Sequence, residues 1–448
     1  MTDLYYPLQS LREGHWFKLI CGASFQHLPA IRSLVLAYAL AGADCIDVAA
    51  DPAVILTAKT ALEFADDLAA NNGAEHFPMH GLPWLMVSLN DGEDPHFRKA
   101  DFNAATCPPD CKRPCESICP AQAIVFHTAS TGNSLLGERS VPRGNVFEEG
   151  VAMLEPIAGV VSDRCYGCGR CLPVCPIQHI STHSYVSTPA VIVPLVLQAG
   201  VDAIEIHTQI GRLDAFRRLW EAIVPWVDDL KLIAISCPDG DGLVDYLRSL
   251  YDLISPLPCP LIWQLDGRPM SGDIGMGTTR AAVKLGQKVL AASLPGFIQL
   301  AGGTNHHTVP KLKALGLLQP PSSHSAIAVG AARELLETRS TKQQSSYISG
   351  VAYGSYARTL LMPILDQLDA IRLESADSQC TAIAGTPLSD VPESGNNLIK
   401  RQLAAEGRSL PRHLEEAPAL LWQAVTLAHT LVSQLKTFND SQLTRLNL

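Results

Sequence analysis

The chain has 448 residues, of which 47% are hydrophobic and 17% are charged, and its formal net charge is −10 at pH 7. This composition excludes a disordered chain, and the length suits two or three domains, or one large barrel with an addition. Because no long run of Lys or Arg is present, the sequence disfavours a nucleic acid or an anionic membrane as the partner.

Neither a secretion signal nor a membrane span is expected. The N-terminal residues "MTDLYYPLQSLREGHW" lack a basic segment followed by an apolar one. The longest apolar run, at 189–200, is too short and too interrupted by proline to cross a bilayer. We therefore expect a cytoplasmic protein, peripheral to a membrane at most.

Short apolar runs typical of strands alternate with amphipathic stretches typical of helices. The strand candidates are 17–22, 45–50, 83–89, 202–208, 230–237, 260–267, 296–305 and 348–355. The helical stretches between and after them are 27–43, 52–72, 191–200, 216–229, 278–292, 325–339 and, in the tail, 417–438. The alternation stops at about residue 90 and resumes near 186.

Eight repeated strand–helix units predict an α/β fold, a closed (β/α)₈ barrel of the TIM type; a doubly wound open sheet is the alternative. The interruption follows the third strand, where barrels tolerate functional insertions. We expect the barrel to occupy 1–90 and 186–365, a ferredoxin-like α+β insertion with two iron–sulfur clusters to occupy 91–185, and a helical extension to occupy 366–448.

The insertion contains eight cysteines in two groups. The second group, "CYGCGRCLPVCP", has the spacing C-x2-C-x2-C-x3-C-P of bacterial ferredoxins. The first group, "CPPDCKRPCESICP", ends in the same x3-C-P, but its first two gaps are one residue longer. In a two-cluster ferredoxin the last cysteine of each run binds the other cluster. The predicted ligands are therefore Cys107, Cys111, Cys115 and Cys175 for one cluster, and Cys165, Cys168, Cys171 and Cys119 for the other.

Two alternatives stay open for these cysteines. A pair of zinc sites would favour well-separated cysteine pairs. A three-iron cluster results at the first site if one of its cysteines does not bind iron. The remaining cysteines are expected to be inert core thiols; they are Cys21, Cys45, Cys237, Cys259 and Cys380.

Polar residues and glycines follow several of the predicted strands, at the end of a barrel where ligands bind. Glycines after the seventh and eighth strands are typical of anion-binding backbone amides, and we expect a cofactor or small-molecule site at Gly302, Gly303, Asn305, Gly354 and Ser355. Further candidates at this mouth are Asp47, Asp51, His207, Asp266, Arg268, His306 and Arg358.

Three phrases in the second half are distinctive: "GRPMSGDIGMGTTRAAVKLGQKVL", "QLAGGTNHHTVPKLKALGLL" and "GVAYGSYARTLL". With the uneven cysteine groups, they resemble the light-dependent period protein family (LdpA) of cyanobacteria and chloroplasts. The resemblance implies an iron–sulfur protein with one four-iron and one three-iron cluster. It also implies a sensor in the cyanobacterial cytosol that reports light-dependent redox state to the circadian clock, in association with clock input proteins such as CikA and the Kai components.

Three hypotheses for function follow. The first is a redox sensor and electron-transfer protein, not an enzyme, which exchanges electrons with a quinone or a ferredoxin. The second is a ferredoxin-linked oxidoreductase with a flavin or small-molecule site at the barrel mouth. The third is a clock-associated binding module in which the clusters are structural.

Overall fold

The computed structural model describes residues 6–22, 27–71, 81–92, 98–119, 123–126, 159–161, 165, 171–184, 189–268, 275, 277–318, 346–382 and 413–436. Two compact units share the chain. The first contains residues 1–93 and 186–448, and the second contains residues 94–185. The subdivision into four segments stays a prediction.

In chain order the elements are α1 (Tyr6–Glu13), β1 (Trp16–Ile20), α2 (Leu28–Leu40), β2 (Cys45–Ala49), α3 (Pro52–Asn71), β3 (Trp84–Asn90), β4 (Arg98–Asp101), α4 (Pro114–Ile118), β5 (Ile124–Val125), β6 (Gly159–Val160), α5 (Cys171–Val174), β7 (Ser181–Ser184), α6 (Pro189–Gln198), β8 (Ala203–His207), α7 (Leu213–Ile223), β9 (Leu232–Pro238), α8 (Leu243–Ile254), β10 (Leu261–Asp266), α9 (Thr279–Ala291), β11 (Phe297–Ala301), α10 (Thr308–Ala314), β12 (Gly350–Tyr353), α11 (Ser355–Ala382) and α12 (Pro418–Val432). Short 3₁₀ turns lie at Ala104–Thr106, Val224–Asp229 and Leu414–Glu416.

The first unit is a closed barrel of eight parallel strands in the order β1-β2-β3-β8-β9-β10-β11-β12, with β12 returning to β1. The predicted α/β barrel is confirmed, and the doubly wound open sheet is wrong. Each of the eight strand candidates overlaps one barrel strand. Between β3 and α6 the chain runs through the second unit.

Alternation along each strand explains why these segments close into a barrel. On β1, Phe17 and Leu19 belong to the large apolar core that includes the helices, whereas Trp16 belongs to a separate cluster inside the barrel. Opposite faces of one strand therefore serve two cores. The sequence prediction did not single out α8, whose Tyr246, Leu247 and Leu250 are buried on one face. The predicted helix at 325–339 lies outside the described residues.

An apolar layer fills the end of the barrel where the strands begin. Leu8 and Leu11 of α1 cluster there with Trp16, Trp84 and Phe297. The rings of Trp16 and Trp84 meet edge to face, with centroids 5.9 Å apart. This end of the barrel is therefore closed by side chains.

A buried ion pair ties the C-terminal segment to this closed end. After α12, which packs against α2 and α11, Lys436 Nζ lies 2.6 Å from both carboxylate oxygens of Asp44 and donates to Ser10 Oγ at 2.7 Å. Asp44 also accepts from the Phe17 amide at 2.7 Å. The Lys436 ammonium lies 5.1 Å from the centroid of the Tyr6 ring. One lysine thus connects α1, the turn before β2 and the end of the described chain.

In its described residues, the second unit contains two antiparallel strand pairs, two short helices and the 3₁₀ turn at Ala104–Thr106. Strand β4 pairs with β7, and β5 pairs with β6. Helices α4 and α5 contact each other. The apolar core of the unit includes Phe102, Ile124 and Ile180 together with buried cysteines.

Among the described helices, none is long and apolar enough to cross a membrane.

We expect Lys436→Met to lower the free energy of unfolding by about 3–5 kcal/mol, because it leaves Asp44 buried without its cation. Urea unfolding of the full chain measures this. The matched control is Lys288→Met, which breaks an exposed pair with Asp239 and should cost less than about 1 kcal/mol. Equal losses of unfolding free energy for the two substitutions would contradict a stabilising role for the buried Lys436–Asp44 pair.

Candidate iron–sulfur site and barrel interior

The cysteines of the second unit sit on a repeated pattern of local structure. Cys115 lies within α4 and Cys119 directly follows that helix; Cys171 begins α5 and Cys175 directly follows it. Each helix is short because the sequence continues with Cys-Pro, and the residue before a proline disfavours helical geometry. Cys168 lies outside the described residues.

Backbone amides point at three of the sulfurs. The amide of Ala123 donates to Cys119 Sγ at 3.2 Å, and the amide of His179 donates to Cys175 Sγ at 3.3 Å. These two bonds are equivalent in the two halves, since each joins a cysteine to the amide four residues later. The amide of Ala100 donates to Cys165 Sγ at 3.4 Å. Amides in these positions stabilise negative charge on sulfur and tune an iron–sulfur cluster.

Cys175 lies beside cysteines of the first group although about sixty residues separate them in the chain. Burial raises the pKa of Cys107, and the neighbouring thiols of Cys111 and Cys175 raise it further. Burial also raises the pKa of Cys115, which is again influenced by Cys175 and Cys107. Cys107 therefore lies near Cys111, Cys115 and Cys175, and Cys115 lies near Cys175.

The environment of Cys175 favours the thiolate. Burial acts to raise its pKa, but the backbone amides of 177–180, with that of His179 foremost, lower the pKa of Cys175 below its ordinary value. Thiolate is the form that binds iron.

The donor set fits an iron–sulfur cluster. In the described ranges, no three His, Cys, Asp or Glu side chains converge closely enough to hold a single metal ion. A four-iron cluster does not need such convergence, since each cysteine binds a different iron. Sulfurs grouped in an apolar core, with amides directed at them, are the surroundings that such a cluster requires.

Inside the barrel, a ring of buried polar side chains lies above the apolar layer. Its members are Lys18 of β1, Asp47 of β2, Ser88 of β3, Glu205 of β8, Ser236 of β9, Gln264 of β10 and Gln299 of β11. Lys18 Nζ contacts Glu205 Oε2 and lies 3.1 Å from Asp47 Oδ2. Because β1 and β8 are not neighbours in the wall, the Lys18–Glu205 contact crosses the interior.

Hydrogen bonds join these side chains into one network. Lys18 Nζ donates to Gln264 Oε1 at 3.0 Å, and Gln299 Nε2 donates to the same oxygen at 2.6 Å. Gln264 Nε2 donates to Glu205 Oε1. Ser88 Oγ donates to Asp47 Oδ1 at 2.8 Å. The ring is therefore extensively hydrogen-bonded, as a buried polar group must be.

Charge interactions set the protonation of the ring. Burial alone would lower the pKa of Lys18, but Asp47 and Glu205 raise it above its ordinary value. Burial raises the pKa of Asp47 to about 6, against the opposing effect of Lys18. Burial would also raise the pKa of Glu205, but Lys18 and then His207 hold it below the ordinary value. Lys18 and Glu205 therefore form the permanently charged pair at neutral pH.

Of the polar residues predicted at the mouth, three lie in or directly above this ring. Asp47 is part of it, and His207 Nε2 lies 3.2 Å from Glu205 Oε1. Asp266 accepts a hydrogen bond from Ser236 Oγ, and burial raises the pKa of Asp266. Asp51 is elsewhere: its Oδ1 accepts from the amide of Ala53 at 2.8 Å and caps α3.

The predicted residues after β11 organise a loop. The amide of Arg268 donates to the Gly302 carbonyl at 3.2 Å, and Gly302 has a φ of +64°. The buried Asn305 donates from Nδ2 to the Gly275 carbonyl at 3.0 Å and to Thr278 Oγ1 at 3.2 Å. Its Oδ1 accepts from the His307 amide at 2.9 Å. The side chain of Asn305 is thus engaged by neighbouring loops.

Nearby, Gly303 has a φ of +89° and its carbonyl accepts from Thr278 Oγ1 at 2.7 Å. The ring of His306 lies 5.4 Å from that of Tyr356.

Residues after β12 lie at the start of α11. Arg358 donates from Nη1 to the Ile20 carbonyl at 2.8 Å and from Nη2 to Ser355 Oγ at 3.1 Å. Gly354 precedes the helix and accepts from the Arg358 amide at 3.1 Å. Arg358 therefore connects the ends of β1 and β12. A cofactor at Gly302, Gly303, Asn305, Gly354 and Ser355 stays a prediction.

Sequence reasoning missed the centre of the ring. Lys18 and Gln299 each stand as a single polar residue in the middle of an otherwise apolar strand, as in "WFKLI" and "FIQLA". Glu205 and Gln264 also interrupt apolar strands, each two residues before a second polar residue at the strand end. That recurrence, strand after strand, is the signal that could have identified them.

Four of the remaining cysteines are core thiols, as expected: Cys21, Cys45, Cys237 and Cys259 are buried. Burial raises the pKa of Cys21, Cys237 and Cys259 to about 12, so each is a thiol at neutral pH. The side chain of Cys380 is not among those that the structure describes.

Comparisons with known proteins agree with both parts of this architecture. Residues 107–186 match the family model described as the LdpA Fe-S cluster-binding domain, and residues 195–434 match that of the Light dependent period A C-terminal domain. The chain is 42% identical over 413 residues to Light dependent period A of Synechococcus elongatus, which covers 92% of this chain and 99% of that protein.

A solved structure, the apo form of the homocysteine methyltransferase MmuM from Escherichia coli, aligns with 79% of this chain and 98% of its own at 12% identity. Its TM-score is 0.34, and a likeness at that level carries no argument.

The protein is therefore of the class that combines an eight-stranded barrel with an iron–sulfur-binding unit inserted in the chain. Within that class, the chain belongs to the Light dependent period A (LdpA) family and is an iron–sulfur protein of the LdpA type.

The turn after β11 offers a test of the mouth geometry. A Cβ at Gly302 would lie 2.6 Å from the Arg268 carbonyl oxygen, whereas Gly316, with nearly the same φ of +63°, has open space around it among the described atoms. We expect Gly316→Ala to cost about 1 kcal/mol of unfolding free energy for its backbone conformation alone. Gly302→Ala should cost about 1–3 kcal/mol more, because backbone atoms must move. Chemical denaturation of both variants checks this, and equal costs would show that the loops do not meet.

Proposed function

We propose that the protein is a redox sensor and electron-transfer protein that relays the light-dependent redox state of the cell to the circadian clock. The grouping of Cys175 with Cys107 and Cys115 carries the proposal, because it joins the two cysteine runs into one ferredoxin-like unit. Membership in the LdpA family supports the assignment.

The proposed ligands are crossed between the two runs. Cys107, Cys111, Cys115 and Cys175 would hold one cluster, and Cys165, Cys168, Cys171 and Cys119 would hold the other. The equivalent amide bonds to Cys119 and Cys175 support this arrangement, since they give the last cysteine of each run the same local surroundings, as the symmetry of a two-cluster ferredoxin requires. The second site is proposed as a four-iron cluster, and the first as a four-iron or a three-iron cluster.

When bound, each cluster exchanges one electron at a time with its redox partner. The protein then determines how readily this happens. Amides of Ala100, Ala123 and His179 stabilise negative charge on the sulfurs, and the apolar side chains of Phe102 and Ile124 restrict water. A gain or loss of one electron changes the local charge and therefore the surface offered to a partner.

The partners that follow from this function are a redox partner, such as a quinone or a ferredoxin, and clock input proteins, for which CikA and the Kai components are proposed. The name Light dependent period A, carried by the relative from Synechococcus elongatus, supports a link to the clock. The cyanobacterial cytosol is the proposed location.

Two double variants test the crossed ligation. In the crossed arrangement, Cys111→Ala with Cys175→Ala removes ligands from one cluster only, so the protein should keep about half of its iron and sulfide. Cys111→Ala with Cys119→Ala removes one ligand from each cluster, so no cluster keeps four cysteines, each site can hold at most three irons, and EPR of the reduced protein should show no four-iron cluster. Iron and acid-labile sulfide are measured in protein purified without air.

If instead each run of cysteines binds its own cluster, the outcomes are reversed: the Cys111/Cys119 variant keeps one cluster with four cysteines, and the Cys111/Cys175 variant keeps none. The single variant Cys111→Ala is the control. It should keep the cluster that does not use Cys111, which shows that damage to one cluster does not by itself remove the other. Loss of all iron in both double variants, with the control intact, would contradict the crossed ligand sets.

Redox-dependent association tests the relay. We expect the anaerobic protein to bind CikA with an affinity that differs several-fold between the oxidised and the dithionite-reduced states, because a change of about one charge shifts an interface energy by about 1 kcal/mol. The double variant Cys111→Ala with Cys119→Ala should lose this difference. Identical affinities in both states of the intact protein, measured by calorimetry in an anaerobic cell, would exclude a charge-based signal.

A further inference from the structure

The polar network inside the barrel is not required to close the barrel. The layer beneath it is filled by Trp16, Trp84 and Phe297, which shows that this sequence can fill the interior with apolar side chains. Burying Lys18, Asp47 and Glu205 is costly unless every group is paired, and replacement by packed apolar residues is often neutral or stabilising. A polar interior that begins halfway along the strands and continues to their C-terminal ends is typical of a barrel with a ligand site.

Charge in this interior is unbalanced. Three carboxylates, Asp47, Glu205 and Asp266, share the space with one lysine, Lys18. His207 is the other side chain whose charge acts on Glu205 and Asp266, and it is a cation only when protonated. Near neutral pH Glu205 and Asp47, whose pKa is about 6, together outweigh the single charge of Lys18, and a concave site of one sign attracts the opposite sign.

The third carboxyl group lies toward the mouth. Lys18 is engaged by Asp47 and Glu205 at the middle of the barrel. Asp266 stands two residues beyond Gln264 on β10, and its Oδ2 accepts from Ser236 Oγ. Within the part of the chain that the structure describes, Asp266 Oδ1 makes no hydrogen bond. This carboxylate thus offers an acceptor next to His207, whose side chain is 22% exposed.

Small side chains face this acceptor from other strands. Ala49 ends β2, Ala301 ends β11 and Ala352 lies on β12, in the interior register with Lys18. Gly354 follows directly on β12. An eight-stranded barrel has room for its own side chains or for one small ligand, and small residues at these positions take up little of that room.

The ligating groups fit an organic cation better than a metal ion. In the segments described, His, Cys, Asp and Glu side chains do not converge in threes on one point. Both Asp47 and Glu205 already accept from Ser88, Lys18 or Gln264, which leaves too few oxygens for a divalent cation that needs six or more. A single ammonium group needs two or three acceptors.

We propose that the mouth of the barrel is a binding site for a small molecule carrying a primary ammonium group, held by Asp266 above the Lys18–Glu205 pair. Each residue of this site belongs to the barrel unit.

Propylammonium is the probe, and propionate is its anionic counterpart of nearly equal size. Saturation-transfer NMR on the full chain at low salt should show propylammonium bound and propionate not bound. Asp266→Asn should weaken propylammonium binding by about tenfold or more, because it removes a charge-assisted hydrogen bond. The second variant, Ser236→Ala, frees Asp266 Oδ2 and should alter the affinity without removing the charge.

Asp239→Asn is the matched control. Asp239 follows β9 at the same end of the barrel but pairs with Lys288 outside the interior, so its loss should leave binding unchanged. The iron content of each variant should equal that of the unchanged protein, which separates this site from the clusters. Preferential binding of propionate, no binding of propylammonium, or equal binding by the Asp266 and Asp239 variants would overturn the proposal.

Discussion

The proximity of Cys175 to Cys107 and Cys115 is the constraint on which the account of this protein depends. About sixty residues separate these cysteines in the chain, and the antiparallel pairing of β4 with β7 returns the second run to the first. In each run a short helix ends directly before the last cysteine, which Pro follows. Without this convergence, neither run has the neighbours that a crossed cluster needs.

The barrel fills its interior in two different ways along its length. Its beginning is closed by apolar packing and by the Lys436–Asp44 pair, while its interior farther along carries a hydrogen-bonded network of charges and amides. Such a network is stable only when nearly every group is satisfied, and here Gln264 and Gln299 complete the pairing that Lys18, Asp47 and Glu205 begin. The two units therefore stabilise buried charge by different means. In the second unit backbone amides donate to cysteine sulfurs, whereas in the barrel side chains pair with one another.

Much of the fold followed from the sequence because barrel strands are buried on both faces and appear as short apolar runs. Each run from 17–22 to 348–355 became a barrel strand. Helix α8 was missed although its buried residues Leu243, Leu247 and Leu250 recur at the spacing of an amphipathic helix. The functional site was harder to predict than the fold. Asp51 and Asn305 look like ligands in the sequence, yet Asp51 caps helix α3 and Asn305 hydrogen-bonds to a neighbouring loop. Lys18 and Gln299 look like interruptions of apolar strands, since only the closed barrel brings them to one point.

An anomalous difference map at the iron absorption edge, from crystals grown without air, tests the central claim most directly. The account predicts two separate peaks of iron density, one bounded by the sulfurs of Cys107, Cys111, Cys115 and Cys175 and the other by those of Cys119, Cys165, Cys168 and Cys171. A peak in which Cys119 completes the set of Cys107, Cys111 and Cys115 would contradict the crossed arrangement, and the absence of iron from both places would contradict the account as a whole.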